Sequence, residues 1–449
     1  MRTYTLRDSA TKRWLVMLAV SFTMLTGYFV ADVMAPLQTL LENELTWNSE
    51  EYGFFTSAYG WFNVFLFMLI IGGIILDKMG VRFTGLMAAS LMVVGAVIKY
   101  GAISSDLTPD LLLFGRKMSV MLACLGYATF CVGLEIFGIT ASKVIVKWFK
   151  GKELALALGL QIAVARIGTT LAFAVSVPVA KMFGTVAAPM MLGCIGLLAG
   201  LVMYIYYSVL DTKLEKQIQQ EEINEPSDAF KLSDLGQLLS NKMFWIICTL
   251  CLTFYAGVFP YLKFATSFMI EKFGVTDDFA GTIPSLLPLG TLFMTPLFGT
   301  FIDRKGYALK LMILGSVMLL IIHLLFAVPS LNQSIVAVGL TILMGVAFSL
   351  VPAAMWPTLA RIIPENQLGS AYAFTFWLQN IGLMGVPYLI GWELNKYGET
   401  VIDGTKHYDY TIPMLTFAAV SLVAVFLAVL LNVENTRKGY NLNSPNMKE

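Results

Sequence analysis

The chain has 449 residues, 57% of them hydrophobic and 13% charged, with a mean hydropathy of +0.73 and a formal net charge of +1. A soluble domain of this length cannot hide so much apolar surface, and the near-neutral charge gives no overall attraction to nucleic acid. The composition is that of a polytopic membrane protein.

A membrane-spanning helix needs about 20 mostly apolar residues. Twelve stretches qualify: 14–37, 51–76, 83–103, 118–146, 153–180, 186–209, 244–270, 279–302, 308–328, 334–360, 369–394 and 410–432. The first is too long for a cleaved signal peptide and lacks a convincing cleavage site. It carries Asp32 toward its far end. The second carries "AYGWFN", with Tyr59 and Asn63, and runs into "GGIILDKMGVR", which holds Gly73, Asp77, Lys78, Gly80 and Arg82. The fourth contains Glu135. The fifth contains Arg166, after a turn crowded by Lys143, Lys147, Lys150 and Lys152. A polar stretch, "DTKLEKQIQQEEINEPSD", then separates six spans from six. The seventh span holds Lys263, the eighth ends in "FGTFIDRKGYALK", with Gly299, Asp303, Arg304 and Gly306, and the eleventh holds Gln379 and Asn380.

The pattern predicts an all-α membrane protein. Residues 1–210 form one six-helix half, 211–243 a cytosolic linker, 244–436 a second half and 437–449 a cytosolic tail. Lysine and arginine concentrate in the segments on the side of the termini. Only Arg116, Lys117, Lys181, Lys272, Lys396 and Lys406 fall in the opposite loops, which puts both termini in the cytosol. Lys99 stands near an outer helix end. The five cysteines lie in apolar runs, and the Cys248–Cys251 pair has no further ligand nearby, so packing is expected and no metal or cofactor. His323 is likewise expected to pack.

The loops after the second and eighth spans share G-x-x-x-D-[K/R]-x-G at equivalent places in the two halves. The leading glycines, Gly73 and Gly299, are expected to let helices approach closely. Asp77, Arg82, Asp303 and Arg304 are expected to hold the turns and to bear on gating. This repeat resembles the loop signature of the major facilitator superfamily, whose halves are related as repeats of six helices. Further blocks, "VKWFKGKELALALGLQIAVARIG", "GVFPYLKF", "AMWPTLARIIPENQLGSAYAFTFWLQNIGL" and "GYNLN", resemble the dipeptide-transporter branch of that superfamily across nearly the whole chain. The resemblance implies facilitated diffusion of dipeptides. It also allows an accessory membrane subunit, for which the sequence offers no support. Two features depart from the pattern. Ser104–Lys117 is extra length, and Tyr127 stands where the superfamily usually has an arginine.

Ionisable groups inside a bilayer are costly and face a partner or a cavity. Glu135 lies thirteen residues before Trp148, and Arg166 thirteen after Glu153, so both stand roughly 20 Å above the cytosolic face. They either neutralise each other or bind the two ends of a zwitterion, the carboxylate taking an ammonium and the guanidinium a carboxylate. The resemblance implies the second. Tyr59, Asn63, Gln379 and Asn380 are polar groups at similar depth that suit a peptide backbone. Each taken singly fits an interhelical hydrogen bond better. Trp356 reads as an interfacial aromatic. Asp32 and Lys263 each lie eighteen residues after a tryptophan, Trp14 and Trp245, in equivalent helices of the two halves. Either each is solvated in an outer vestibule, or they meet when the outer side closes. In that case a charge swap should restore part of the lost transport.

Three functions are weighed: a dipeptide uniporter, a proton-coupled carrier of another small organic anion or amino acid, and a membrane enzyme or sensor. The last is disfavoured, since the chain has two histidines and neither HExxH nor GxSxG. The N-terminal segment has no acidic dileucine signal, and the sequon at Asn332 is tight to the membrane. A bacterial cytoplasmic membrane is therefore expected rather than a lysosome.

Overall fold

The computed structural model describes residues 5–104, 111–149, 152–218, 236, 238–364, 367–402 and 405–445. Eleven of its helices are long and apolar enough to cross a membrane, and a broken helix supplies a twelfth span. The first span begins as Ala10–Asp32. The second begins as Ser49–Ser57 and Trp61–Phe65, and it is completed by the start of a helix at Met68–Ser104. That helix bends at Gly80 into the third span. The other nine are Met118–Phe149, Leu154–Phe183, Ala187–Ile218, Lys242–Phe273, Thr282–Lys305, Ala308–Ala327, Ser334–Ile362, Leu368–Glu393 and Thr411–Lys438. The start of the first span and the end of the twelfth lie on one face of the bundle, here the terminal face. The other is the far face.

Three boundaries differ from the hydropathy reading. The first span is broken after Asp32, where the chain turns through a 3-10 segment containing Pro36, and its helix resumes as Gln38–Leu45, beyond residue 37. The second is interrupted at Leu66 and Phe67, where Phe67 has φ 53°. Trp377 of the eleventh span covers the interruption: its indole N–H donates to Val64 O at 3.0 Å and its ring stacks on Phe67. Freed backbone inside a membrane persists where a neighbouring helix satisfies it in this way. The sixth helix continues to Ile218, past the expected start of the linker. Most of the remaining linker, 219–235 and 237, lies outside the described residues, as do 105–110 of the extra loop. Its residues from 111 onward include a two-stranded hairpin, Leu112–Leu113 with Arg116–Lys117.

The two halves meet closely toward the far face. Gly53 and Gly391 sit against each other, so a Cβ on Gly53 would lie 2.8 Å from Gly391 Cα and 2.7 Å from Pro387 O. Tyr52 donates to Lys263 O at 2.7 Å, Lys181 pairs with Asp278 at 2.7 Å, and Tyr408 donates to Glu42 at 2.5 Å. Tyr408 belongs to a second hairpin, Glu399–Ile402 with Thr405–Tyr408, which reaches across to the first half.

The repeated loops work differently from the sequence expectation. Nothing stands within 4 Å of a Cβ built on Gly73 or Gly299, so neither glycine serves a close helix approach. The later glycines matter instead: Gly80 has φ 74° and Gly306 φ 77°, a region that disfavours any side chain. The first loop is held by charge. Asp77 accepts from Lys143 at 2.6 Å, and Arg82 pairs with Glu215 and donates to Thr212 at 2.7 Å. Buried Asp211 accepts from Lys147 at 2.8 Å and from Trp148 at 2.9 Å. The second loop is held by the C-terminal segment Asn441–Asn443. Tyr307 N donates to Asn443 O at 2.8 Å and Leu309 N to Asn443 Oδ1 at 3.0 Å, while Arg361 grips Asn441 O at 2.9 Å. Asp303 and Arg304 occupy the last turn of the eighth span beside it.

Asp77 and Lys143 belong to the same half and are partly exposed, a kind of pair worth about 1 kcal/mol or less. For the transport that the sequence resemblance implies, Asp77→Asn is therefore expected to change the rate by up to about fivefold while leaving substrate affinity nearly intact. Parallel binding and uptake measurements check this, and a large affinity loss counts against it.

Candidate functional site

Between the halves lies a cavity of about 180 Å³. Its wall follows helical stripes: Tyr28 and Asp32 four apart on the first span, Tyr255, Phe259 and Lys263 four apart on the seventh, and Phe376, Gln379, Leu383 and Pro387 on the eleventh. Thr56, Tyr59, Glu135, Arg166 and Trp356 also line it, with Ala31, Leu134 and Pro260 between them.

Glu135 and Arg166 share this cavity without pairing. Glu135 Oε1 accepts from Tyr59 at 2.6 Å. Among the described residues Arg166 makes no ion pair. Its guanidinium carbon instead stands 5.6 Å from the Phe348 ring centroid, 5.9 Å from Phe259 and 6.0 Å from Tyr28. Aromatic faces attract a cation but do not use its N–H donors. The guanidinium thus keeps its hydrogen-bonding capacity for something in the cavity, and mutual neutralisation is not what this geometry shows.

Asp32 and Lys263 do meet. Lys263 Nζ stands 2.5 Å from Asp32 Oδ1, with both side chains about one-tenth exposed. Of the expected polar set, Tyr59 and Gln379 line the cavity, and Gln379 also accepts from Cys251 at 3.4 Å. Asn63 and Asn380 are buried behind the wall. Asn380 donates to Phe376 O at 2.9 Å and stands beside Glu135, whereas neither amide atom of Asn63 has a partner among the described residues. Asp77, Arg82, Asp303 and Arg304 lie apart from the cavity, at the helix ends beside the Gly80 and Gly306 turns on the terminal face. His323 packs as expected, bonded to Gly257 O at 2.9 Å and stacked on Phe417.

Trp356 corrects the interfacial reading. It lines the cavity, its ring centroid 4.8 Å from that of Phe376 and its N–H 3.3 Å from Tyr255 Oη. Tyr28, Tyr255, Phe259 and Phe376 were not singled out from sequence. Stepping four residues back from Asp32 and Lys263 along their helices reaches Tyr28 and Phe259, a signal that was present.

Residues 17–387 and 263–446 match the sequence profile of the Major Facilitator Superfamily. The chain belongs to that superfamily. This Major Facilitator Superfamily member is 28% identical over 442 residues to the human lysosomal dipeptide transporter MFSD1, a match spanning 96% of this chain and 88% of that protein. Among solved structures, a D-xylose-proton symporter superposes with a TM-score of 0.69 at 15% identity, over 93% of this chain and 97% of that one. Tetrameric PepTSo2 superposes with a TM-score of 0.63, also at 15% identity, over 95% and 99%. These two likenesses bear on the fold alone. The superfamily assignment makes the chain a multi-pass membrane transporter and not an enzyme.

Proposed function

We propose that this transporter carries dipeptides by alternating access, as a uniporter, from one side of a bacterial cytoplasmic membrane to the other. Both termini are cytosolic in this reading, so the far face is the outer one and the molecule is closed toward the outside. The observation that carries the proposal is one cavity presenting a guanidinium, Arg166, with no ion pair among the described residues, and a separate carboxylate, Glu135, ordered by Tyr59. A zwitterionic peptide supplies the two complementary ends. Arg166 takes the carboxylate and Glu135 the ammonium. Gln379 serves the backbone from the wall, and Asn63 and Asn380 support it from behind. The similarity to the human dipeptide transporter points the same way. In this reading the Asp32–Lys263 pair closes the outer side, and the loops carrying Asp77, Arg82, Asp303 and Arg304 set the balance between conformations.

The cavity carboxylates also favour a second reading, proton-coupled carriage of another small organic anion or amino acid. Counterflow of labelled dipeptide in proteoliposomes, with and without a protonophore, separates the two. A uniporter exchanges label equally in both conditions; loss of dipeptide counterflow altogether removes the first reading.

Glu135→Gln is expected to weaken peptides with a free amino terminus by about tenfold while barely affecting N-acetylated ones, since only the former lose a charge-assisted bond. Competition assays with matched pairs of peptides measure this. Equal loss for both would assign Glu135 a structural role.

A further inference from the structure

The helix of the first span breaks after Asp32, before the turn at Ala35–Leu37, within the candidate span Ala10–Leu45. A helix that ends there leaves its last carbonyls unpaired and its negative pole facing the interior. Two lysines answer that end. Lys99 of the third span is fully buried and donates to Val30 O at 2.8 Å, with its ammonium 4.7 Å from the Tyr127 ring centroid and 5.5 Å from that of Phe130. Lys263 reaches Ala31 O at 3.0 Å, Asp32 Oδ1 at 2.5 Å and Tyr127 Oη at 3.3 Å. Tyr127 in turn donates to Ala31 O at 2.9 Å. Thr169 donates to Asp32 Oδ2 at 2.9 Å, leaving Oδ1 turned toward Lys263. Three acceptors about one nitrogen match the three N–H donors of a primary ammonium.

The two lysines differ in origin. Lys99, Tyr127 and Thr169 belong to the same half as the acceptors and remain with them whatever the other half does. Lys263 comes from the opposite half, and with Ala31 and Asp32 it lines the cavity. Outward opening withdraws Lys263 and leaves an assembled, negatively polarised cradle exposed to whatever enters. We propose that this cradle is a binding site for a primary ammonium, with Lys263 as its tethered occupant in the outer-closed state and a ligand's ammonium as its occupant in the outward-open one. The inference rests on the reading that Lys263 closes the outer side. It makes the latch exchangeable: an ammonium lodged there competes with Lys263 and delays closure.

The test uses the full chain in proteoliposomes, with Ser49→Cys as reporter. Ser49 is 1% exposed at the far-face contact, and the five native cysteines are buried. A membrane-impermeant thiol reagent therefore reads outward opening. Lys263→Ala should raise labelling severalfold, and millimolar ethylammonium or propylammonium should restore protection, whereas tetramethylammonium, which has no N–H, should not. Adding Asp32→Asn to Lys263→Ala should abolish the amine effect, and melting temperatures should confirm that each variant is folded. With Lys263 intact, a competing ammonium should raise labelling. Alanyl-alanine carries it at the amino end and Nα-acetyl-lysine on the side chain, so the active compound identifies the source; no effect from either overturns the exchange. If Lys263→Ala raises labelling and primary amines protect no better than tetramethylammonium, the ammonium site is wrong and the gate stands. Unchanged labelling in Lys263→Ala removes the gate itself, and the site with it.

Discussion

Arg166→Lys is expected to reduce dipeptide transport by tenfold or more although the positive charge is kept. A guanidinium grips a carboxylate through two parallel N–H bonds, while an ammonium is a point charge on a flexible stem. One charge-assisted hydrogen bond is worth about 1.5–3 kcal/mol, which corresponds to roughly ten- to a hundredfold in affinity. The surroundings sharpen the contrast. Arg166 is flanked by Tyr28, Phe259 and Phe348, whose ring faces suit a planar cation better than an ammonium that must be held in register. Uptake of labelled dipeptide into proteoliposomes measures the effect, with the melting temperature as a control for folding. Transport by the lysine variant at close to the original rate would remove the carboxylate role.

Arg166 and Glu135 could be matched in depth from sequence because a fixed rise per residue converts position into height. Whether they touch could not, since that depends on how two helices are rotated about their axes. The span count was legible for a similar reason: it needs only length and apolarity. The interruption at Leu66 and Phe67 was not, because the segment contains neither proline nor glycine there and its support, Trp377, comes from more than three hundred residues away. Lys99 stands near a helix end, as read from the sequence, but side chains there usually reach water and its inward direction was not legible. It turns inward because the helix of the first span breaks and presents Val30 O to it. Pro36 was the local sign of that break. The repeated loops were legible as a repeat, but the function of their glycines was not. Backbone angle at Gly80 and Gly306, rather than room beside Gly73 and Gly299, is what the turns require.

Neutralising Asp32 and Lys263 together is expected to harm transport less than the two single changes combined. Lys263→Gln leaves Asp32 with Thr169 as its remaining partner, and Asp32→Asn leaves the Lys263 ammonium near buried Lys99 with no countercharge. Removing one partner of a buried pair costs about 3–5 kcal/mol. Side chains one-tenth exposed beside a cavity retain some solvent, so a coupling of about 1–3 kcal/mol is expected here. Charge alone argues that the reciprocal swap, Asp32→Lys with Lys263→Asp, should recover part of the loss. The surroundings argue otherwise. Ala31 O accepts from both Lys263 and Tyr127, and an aspartate at 263 would meet that oxygen as a repulsive neighbour. A lysine at 32 would stand close to Lys99. The swap should therefore recover little, although its two charges still attract. A double-mutant cycle in uptake, read beside outer-side cysteine labelling, tests both statements. Additive single effects would dissolve the pair as a gate. Full recovery by the swap would show that the carbonyl end of the first span carries no weight in closing it.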